Sequence, residues 1–208
     1  MRVAVVGGTG SFGLALAKRL AESGYDVVIG SRDAGRAADA AAGVGHDVAG
    51  ATNADACRSA DLVVLATKAE ATLDTARELR EAIATTPVLS VAAELRFAPE
   101  GVLPSPEPTS VAARLQDVLD APVIAGLHSL AARNLGGEDA PEEDALVCGD
   151  DPEAKALVLE LAERITAGRA VDCGPLGSAR ALEGLTAVIV NVNKRYKAHA
   201  GVRLSGLR

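Results

Sequence analysis

Val3-Ala4-Val5-Val6-Gly7-Gly8-Thr9-Gly10-Ser11-Phe12-Gly13 is the stretch that decides the fold. Four apolar residues, three of them β-branched, run into the spacing Gly8-x-Gly10-x-x-Gly13. Apolar residues then recur at Leu14, Ala17, Leu20 and Ala21, on one face of a helix. A strand, a glycine turn and a helix in that order gather bare backbone N–H groups and a helix N-terminus at one point. Such a point binds the pyrophosphate of a dinucleotide. The fingerprint carries weight because a strand precedes it, an apolar helix follows it and a second strand comes at the right interval.

Working outward, strands and helices alternate. Ser23-Gly24 stops the first helix, and Asp26–Gly30 reads as the second strand. Short helices are expected over Arg36–Ala42 and Asp55–Ser59. Leu62–Ala66 is a continuous apolar run, as a parallel strand buried on both faces requires. A helix over Thr72–Ala84 and a strand over Val88–Val91 follow. Phe97–Pro108 carries Pro99, Pro104, Pro106 and Pro108 and reads as a loop. Beyond it come a helix over Ser110–Leu119, capped by Thr109 or Ser110, and strands over Pro122–Gly126 and Ala145–Cys148. Asp151 or Pro152 opens a helix to Ile165. A last strand covers Ala170–Cys173, and a long helix runs from Leu176 to His199.

This rhythm predicts an α/β fold, a Rossmann-like doubly wound and mostly parallel sheet with a small C-terminal α-rich lobe. Residues 1–140 are expected to form the NADP-binding domain. Residues 141–208 are expected to complete the active-site cleft and to carry a dimer interface. The stripe Leu182, Leu185, Ile189 and Val192 fits a helix-mediated homodimer and fits packing within one subunit equally well.

The composition sets further bounds. Hydrophobic residues are 49% of the 208 and aromatics only 2%, so the core must be built of Ala, Val and Leu. A net charge of −7 argues against a nucleic-acid surface over the whole molecule. Cys57, Cys148 and Cys173 have neither CxxC nor CxxH spacing and read as buried, reduced thiols, with no metal site. No run approaches a membrane span, and the four apolar residues after Arg2 are too few for a signal peptide. The expectation is a cytoplasmic protein with no membrane partner.

The end of the second strand selects the dinucleotide. Proteins that bind NAD usually present a carboxylate there to hold the ribose 2′-OH. This chain presents Gly30-Ser31-Arg32. A hydroxyl and a guanidinium attract a 2′-phosphate, and Arg36 is close enough in sequence to join them. Asp33 reads as the N-cap of the next helix. The cofactor expected is NADP(H).

No acid–base constellation stands out. His128, at the end of a strand in Gly126-Leu127-His128-Ser129-Leu130, is the polar candidate for the substrate cleft, since ligands bind at strand C-termini in this architecture. It reads equally well as a strand-end residue held by a backbone hydrogen bond. Hydride transfer between two cofactor rings needs no acid or base, only rings held face to face with water excluded. Asn191 to Arg208 holds Lys194, Arg195, Lys197, Arg203 and Arg208 and no acid. That segment reads as a solvated tail or as an electrostatic site for an acidic ligand or a second subunit.

Gly7-Gly8-Thr9-Gly10, Gly30-Ser31-Arg32, Val147-Cys148-Gly149-Asp150-Asp151, Asp172-Cys173-Gly174-Pro175-Leu176 and Arg195-Tyr196-Lys197-Ala198-His199-Ala200-Gly201 together resemble the NADPH-dependent reductases of coenzyme F420. The similarity runs over nearly the whole chain. It implies a two-lobed homodimer in which the deazaflavin lies over the nicotinamide and hydride passes between nicotinamide C4 and deazaflavin C5. Carried over by position, Thr9, Gly10, Ser11 and Phe12 contact the pyrophosphate. Ser31, Arg32 and Arg36 hold the 2′-phosphate. Thr67, Ala71 and Ala93 line the nicotinamide half, and His128 to Ala132 border the deazaflavin. The phosphodiester and glutamate tail of coenzyme F420 would give the basic terminus an anionic client. At Thr67-Lys68-Ala69-Glu70 the chain lacks the proline and aromatic of the family pattern. An NADPH-dependent reductase of a small carbonyl or imine, with Lys68 or His128 as proton donor, is the alternative. A non-catalytic NADPH sensor is the other.

Overall fold

Val3 and Val5 face one side of their strand, Ala4 and Val6 the other, and all four are fully buried. A strand apolar on both faces must lie between two layers of helix. The computed structural model, which describes residues 1–207, has that arrangement. Its strands in chain order are β1 (Arg2–Val6), β2 (Asp26–Ser31), β3 (Ala49–Thr52), β4 (Leu62–Leu65), β5 (Val88–Ser90), β6 (Leu95–Ala98), β7 (Gly101–Pro104), β8 (Val123–Gly126), β9 (Ala145–Gly149) and β10 (Ala170–Asp172). Eight of them form one sheet in the order β10-β9-β8-β5-β4-β1-β2-β3. The run from β3 to β8 is parallel throughout. β9 pairs antiparallel with β8, and β10 lies parallel to β9.

The helices are α1 (Ser11–Glu22), α2 (Ala34–Val44), α3 (Asn53–Arg58), α4 (Ala69–Ile83), α5 (Val111–Gln116), α6 (Ala132–Leu135), α7 (Pro152–Ile165) and α8 (Ala179–Tyr196). Leu16 and Leu20 of α1, Ala37 of α2 and Val158 and Leu161 of α7 cover one face of the sheet. Ala56 of α3, Leu79 and Ile83 of α4, Leu115 of α5 and Leu182 of α8 cover the other. The expected caps are in place. Asp33 accepts the Arg36 N–H at 2.8 Å, Ser110 accepts that of Ala113 at 3.0 Å, and Asp151, just before Pro152, accepts that of Ala154 at 2.8 Å.

Two expectations need correction, and one strand had no expectation at all. Phe97–Pro108 is not all loop: Leu95–Ala98 pairs antiparallel with Gly101–Pro104 across a two-residue turn, Pro99-Glu100. Its prolines stand in the turn and at the strand's end, where no ladder donor is needed. The exposed edge of β7 is completed by Asn191 of α8, whose amide accepts the Val102 N–H at 2.9 Å and donates to the Val102 carbonyl at 2.7 Å. The long helix is shorter than its apolar pattern, because Leu176–Ser178 form a separate 3-10 turn and Lys197 adopts a left-handed φ of 51°. β3 went unseen because its Ala-Gly-Ala-Thr sequence has almost no strand propensity.

The boundary expected near residue 140 falls within a continuous sheet, since β9 and β10 extend it beyond β8. The last residues are fastened back onto that extension. Asp144, fully buried, accepts the Leu204 N–H at 2.7 Å and pairs with Arg169 at 2.6 Å. Arg169 in turn donates to the carbonyls of Leu204 and, at 3.2 Å, Leu207. Arg208 of the basic segment lies outside the described residues.

Candidate dinucleotide site

The parallel strands present their C-terminal ends along one edge of the sheet. Val6 is in register with Gly30 and Leu65, Leu65 with Ser90, and Ser90 with Ala125. The segments that follow them therefore stand side by side: the glycine turn, Ser31-Arg32, Ala66-Thr67, Val91–Ala93 and Leu127–Ala132. The strand order reverses direction between β1 and β4, and the glycine turn leaves the sheet there. This is the crevice where doubly wound sheets take their ligands.

The turn is shaped for close approach. A Cβ on Gly8 would lie 2.7 Å from the Val5 carbonyl oxygen, and one on Gly13 would lie 2.6 Å from the Gly8 Cα. Both sites exclude any side chain, so α1 begins tight against the sheet. Gly10 is the N-cap of α1, with no side-chain cap and no acid in the first turn. The first-turn N–H groups, those of Ser11, Phe12 and Gly13, thus face outward without an acceptor on their own helix, which suits an anion. Thr9 is half-buried and Ser11 exposed. Phe12 packs against the apolar cluster beneath α1.

At the end of β2 the Ser31 side chain is 8% exposed and its hydroxyl accepts the Asp33 N–H at 3.3 Å. Arg32 and Arg36 are exposed. Among the described residues neither guanidinium has a carboxylate within ion-pair distance, whereas Arg58, Arg77, Arg80 and Arg164 each do. Two unneutralised cations beside a bare helix N-terminus fit a dinucleotide that carries an extra phosphate on its adenosine ribose.

The half of the crevice expected to take the nicotinamide is less charged. Thr67 touches the glycine turn and shares a 2.9 Å hydrogen bond with Thr72. Ala93 is half-buried, while Ala71, in the first turn of α4, is exposed. Lys68 is the N-cap of α4, exposed, with no side-chain capping bond. Within His128–Ala132 only Ala131 and Ala132 reach partial exposure. His128 is 7% exposed, and its Nε2 meets the Ala92 carbonyl at 3.2 Å. Burial pushes its pKa down to about 4, partly opposed by that hydrogen bond, so the ring is neutral at pH 7. It ties the segment after β8 to the loop after β5.

Sequence reasoning missed the clamp that holds α6. Arg19 of α1 is 6% exposed and donates to the carbonyls of Leu135 at 3.0 Å, Gly137 at 2.8 Å and Asp139 at 2.7 Å. Lys18 adds the Gly136 carbonyl at 3.1 Å. The signal was a paired cation on the inner half of an otherwise apolar helix.

Fold and crevice together define a Rossmann-type dinucleotide-binding protein. Residues 2–94 match the family model of coenzyme F420-dependent NADP oxidoreductases. The whole chain is 35% identical to an F420-dependent NADP reductase of Methanocaldococcus jannaschii, covering 99% of that protein. It is 37% identical, again over its whole length, to one of Methanothermobacter thermautotrophicus, covering 96% of it. A solved structure from Arthrobacter sp. FB24, provisionally assigned as an F420-dependent NADP-reductase, superposes with a TM-score of 0.84 over 99% of this chain and 100% of its own, at 25% identity. The chain belongs to the family of F420-dependent NADP reductases.

Proposed function

We propose that this protein is an oxidoreductase that transfers a hydride between NADP(H) and coenzyme F420. The observation that carries the reading is the pair of unneutralised guanidinium groups, Arg32 and Arg36, just past the end of β2, the strand paired with β1 ahead of the uncapped N-terminus of α1. Family membership supports the second substrate.

In this reading Thr9, Ser11, Phe12 and Gly13 hold the pyrophosphate through backbone N–H groups, with Gly8 and Gly10 giving it room. Ser31, Arg32 and Arg36 hold the 2′-phosphate. Thr67, Ala71 and Ala93 line the nicotinamide half, and Ala132 borders the deazaflavin. The two rings supply the hydride donor and acceptor when bound. The chain's own part is to hold them face to face and to exclude water. Small side chains at Ala93 and Ala132 let two flat rings approach. His128, neutral and bonded to Ala92, acts as a brace between the two walls.

The residues after 140 complete the cleft through α8. The protein works as a homodimer in the cytoplasm, with neither nucleic acid nor membrane as partner. Val188, Val192 and Tyr196 form an exposed line on α8, beside the exposed Phe97 of β6. Leu182 is buried and Leu185 packs against the subunit's own core, so the line for a partner is offset from them. Among the described residues no helix is long and apolar enough to cross a membrane.

The test is spectrophotometric. NADPH mixed with oxidised deazaflavin and enzyme should bleach the deazaflavin absorbance, with no need of a carbonyl or imine acceptor. Absence of bleaching would sink the reading. Oxidation of NADPH by a small carbonyl or imine in place of the deazaflavin would favour the alternative reductase.

A further inference from the structure

Glu183 is a buried carboxylate to which the mechanism above gives no task. It lies on α8, 5% exposed, next to the apolar Leu182. Its two oxygens serve two backbone donors: Oε2 accepts the Val111 N–H at 3.0 Å and Oε1 accepts the Ala112 N–H at 3.1 Å. The Ser110 hydroxyl takes the third first-turn donor, that of Ala113. α5 has six residues, too few to be stable by itself. Its start is therefore fixed from another helix, 71 to 72 positions away in sequence.

Contacts continue from α5 to the crevice. Arg114 of α5 pairs with Glu94, the neighbour of Ala93. The Glu94 carbonyl accepts the Ser105 N–H at 3.1 Å. One turn beyond Glu183, the Thr186 hydroxyl donates to the His128 carbonyl at 3.5 Å. The loop after β5 thus reaches α5, whose first turn Glu183 holds, and the segment after β8 meets α8 itself one turn further on. A small cavity between Glu94, Arg180 and Glu183 marks the junction.

We propose that Glu183 is a positioning residue for the hydride transfer: by gripping the first turn of α5 it sets the spacing between the loop that carries Ala93 and the His128–Ala132 segment. This rests on the reading above, in which those two walls hold the two rings. A carboxylate suits the task because it is acceptor-only and can serve both donors at once. Glutamine would turn its NH2 toward one of them. Burial raises the carboxyl pKa of Glu183, the two N–H groups and Arg114 oppose the rise, and Glu94 adds to it. Cys148 on β9, Arg180 on α8 itself and Glu107 ahead of α5 are the other ionisable groups nearby. Protonation places an O–H against an N–H and releases half of the grip.

The experiment compares wild type, Glu183→Gln and Glu183→Asp. The NADPH dissociation constant is read by fluorescence, and kcat and KM for the deazaflavin are read by bleaching across pH. In Glu183→Gln the NADPH constant should stay within about twofold while kcat/KM for the deazaflavin falls roughly tenfold or more, the loss concentrated in kcat as misplacement requires. Glu183→Asp, still acceptor-only, should retain more of the rate. Wild-type kcat should show an acidic limb above the ordinary carboxylate range that Glu183→Gln lacks. If Glu183→Gln fails to fold, Glu183→Asp decides: its shorter carboxylate cannot keep the same reach to the Val111 and Ala112 N–H groups, so a kcat and a deazaflavin KM both equal to wild type would overturn the proposal. If wild type bleaches the deazaflavin and Glu183→Gln matches it, only this inference falls. If wild type does not bleach it, the functional reading falls and takes this one with it.

Discussion

Gly7 and Thr67 stand so close that nothing larger than hydrogen fits between them. A Cβ on Gly7 would lie 2.6 Å from Thr67 Cγ2 and 3.1 Å from the Thr67 Cα. This contact brings the end of β1 against the loop after β4, the two strands between which the order reverses. Gly7 also has a φ of 73°, a conformation that other residues resist. Gly7→Ala therefore meets both backbone strain and a clash with the Thr67 methyl group. A stability loss of about 2–4 kcal/mol is expected, with NADPH affinity weakened at least tenfold as the turn shifts. Denaturant titration and NADPH binding measure the two, and a variant unchanged in both would mean that the turn is not held by this contact.

In the proposed site Arg32 and Arg36 are the residues that would separate the two nicotinamide dinucleotides. Among the described residues neither guanidinium has a carboxylate within ion-pair distance, and both side chains are exposed. Arg32→Ala should raise the NADPH dissociation constant roughly 10- to 100-fold, as expected for loss of a charge-assisted phosphate contact, while NADH binding changes little. The double variant should bind the two with similar affinity. An unaltered NADPH/NADH ratio in Arg32→Ala would place the 2′-phosphate elsewhere.

The parallel half of the fold was legible because burial on both faces leaves an unbroken apolar run, as in Leu62–Leu65, and because glycine spacing and caps such as Asp33 are local signals. β3 was not legible, since its four small residues are held by neighbours and not by propensity. The β6–β7 hairpin was hidden by its prolines. Its outer edge depends on Asn191, 89 positions away from Val102. Of the candidate site, the charged end could be read from Ser31-Arg32. The neutral end could not, because Ala71, Ala93 and Ala132 carry no chemistry of their own and gain meaning only from the strand ends they follow. His128 was visible as a strand-end residue, but its near-complete burial was not.

Asp144 fastens the C-terminal segment. Arg169 and the Leu204 N–H hold its carboxyl pKa down at about 2, against an ordinary 3.8. A group whose pKa is lower in the fold stabilises above its unfolded value and loses that contribution as pH falls through the folded one. The segment should therefore stay docked above about pH 4 and detach between about pH 4 and pH 2. Asp144→Asn should lower stability at pH 7 by about 2 kcal/mol, because Arg169 loses its charged partner, and should expose residues near Leu204 to protease. Cleavage there at the wild-type rate would contradict the fastening.

His128 has the opposite relation to acid. Its pKa of about 4 lies below the ordinary 6.5 because the buried ring resists charge. Below about pH 6.5 the unfolded chain takes up a proton that the fold refuses, so stability must rise with pH across the window from about 4 to 6.5. The full window corresponds to about 3 kcal/mol for this one side chain. His128→Gln cannot take up that proton when unfolded, so its stability curve should be flatter than wild type by a comparable amount over the same range. Denaturant titrations of both proteins at a series of pH values give the two slopes directly. Parallel slopes would mean that the imidazole is solvated and able to charge in the fold, which would restore it as a candidate acid in the crevice.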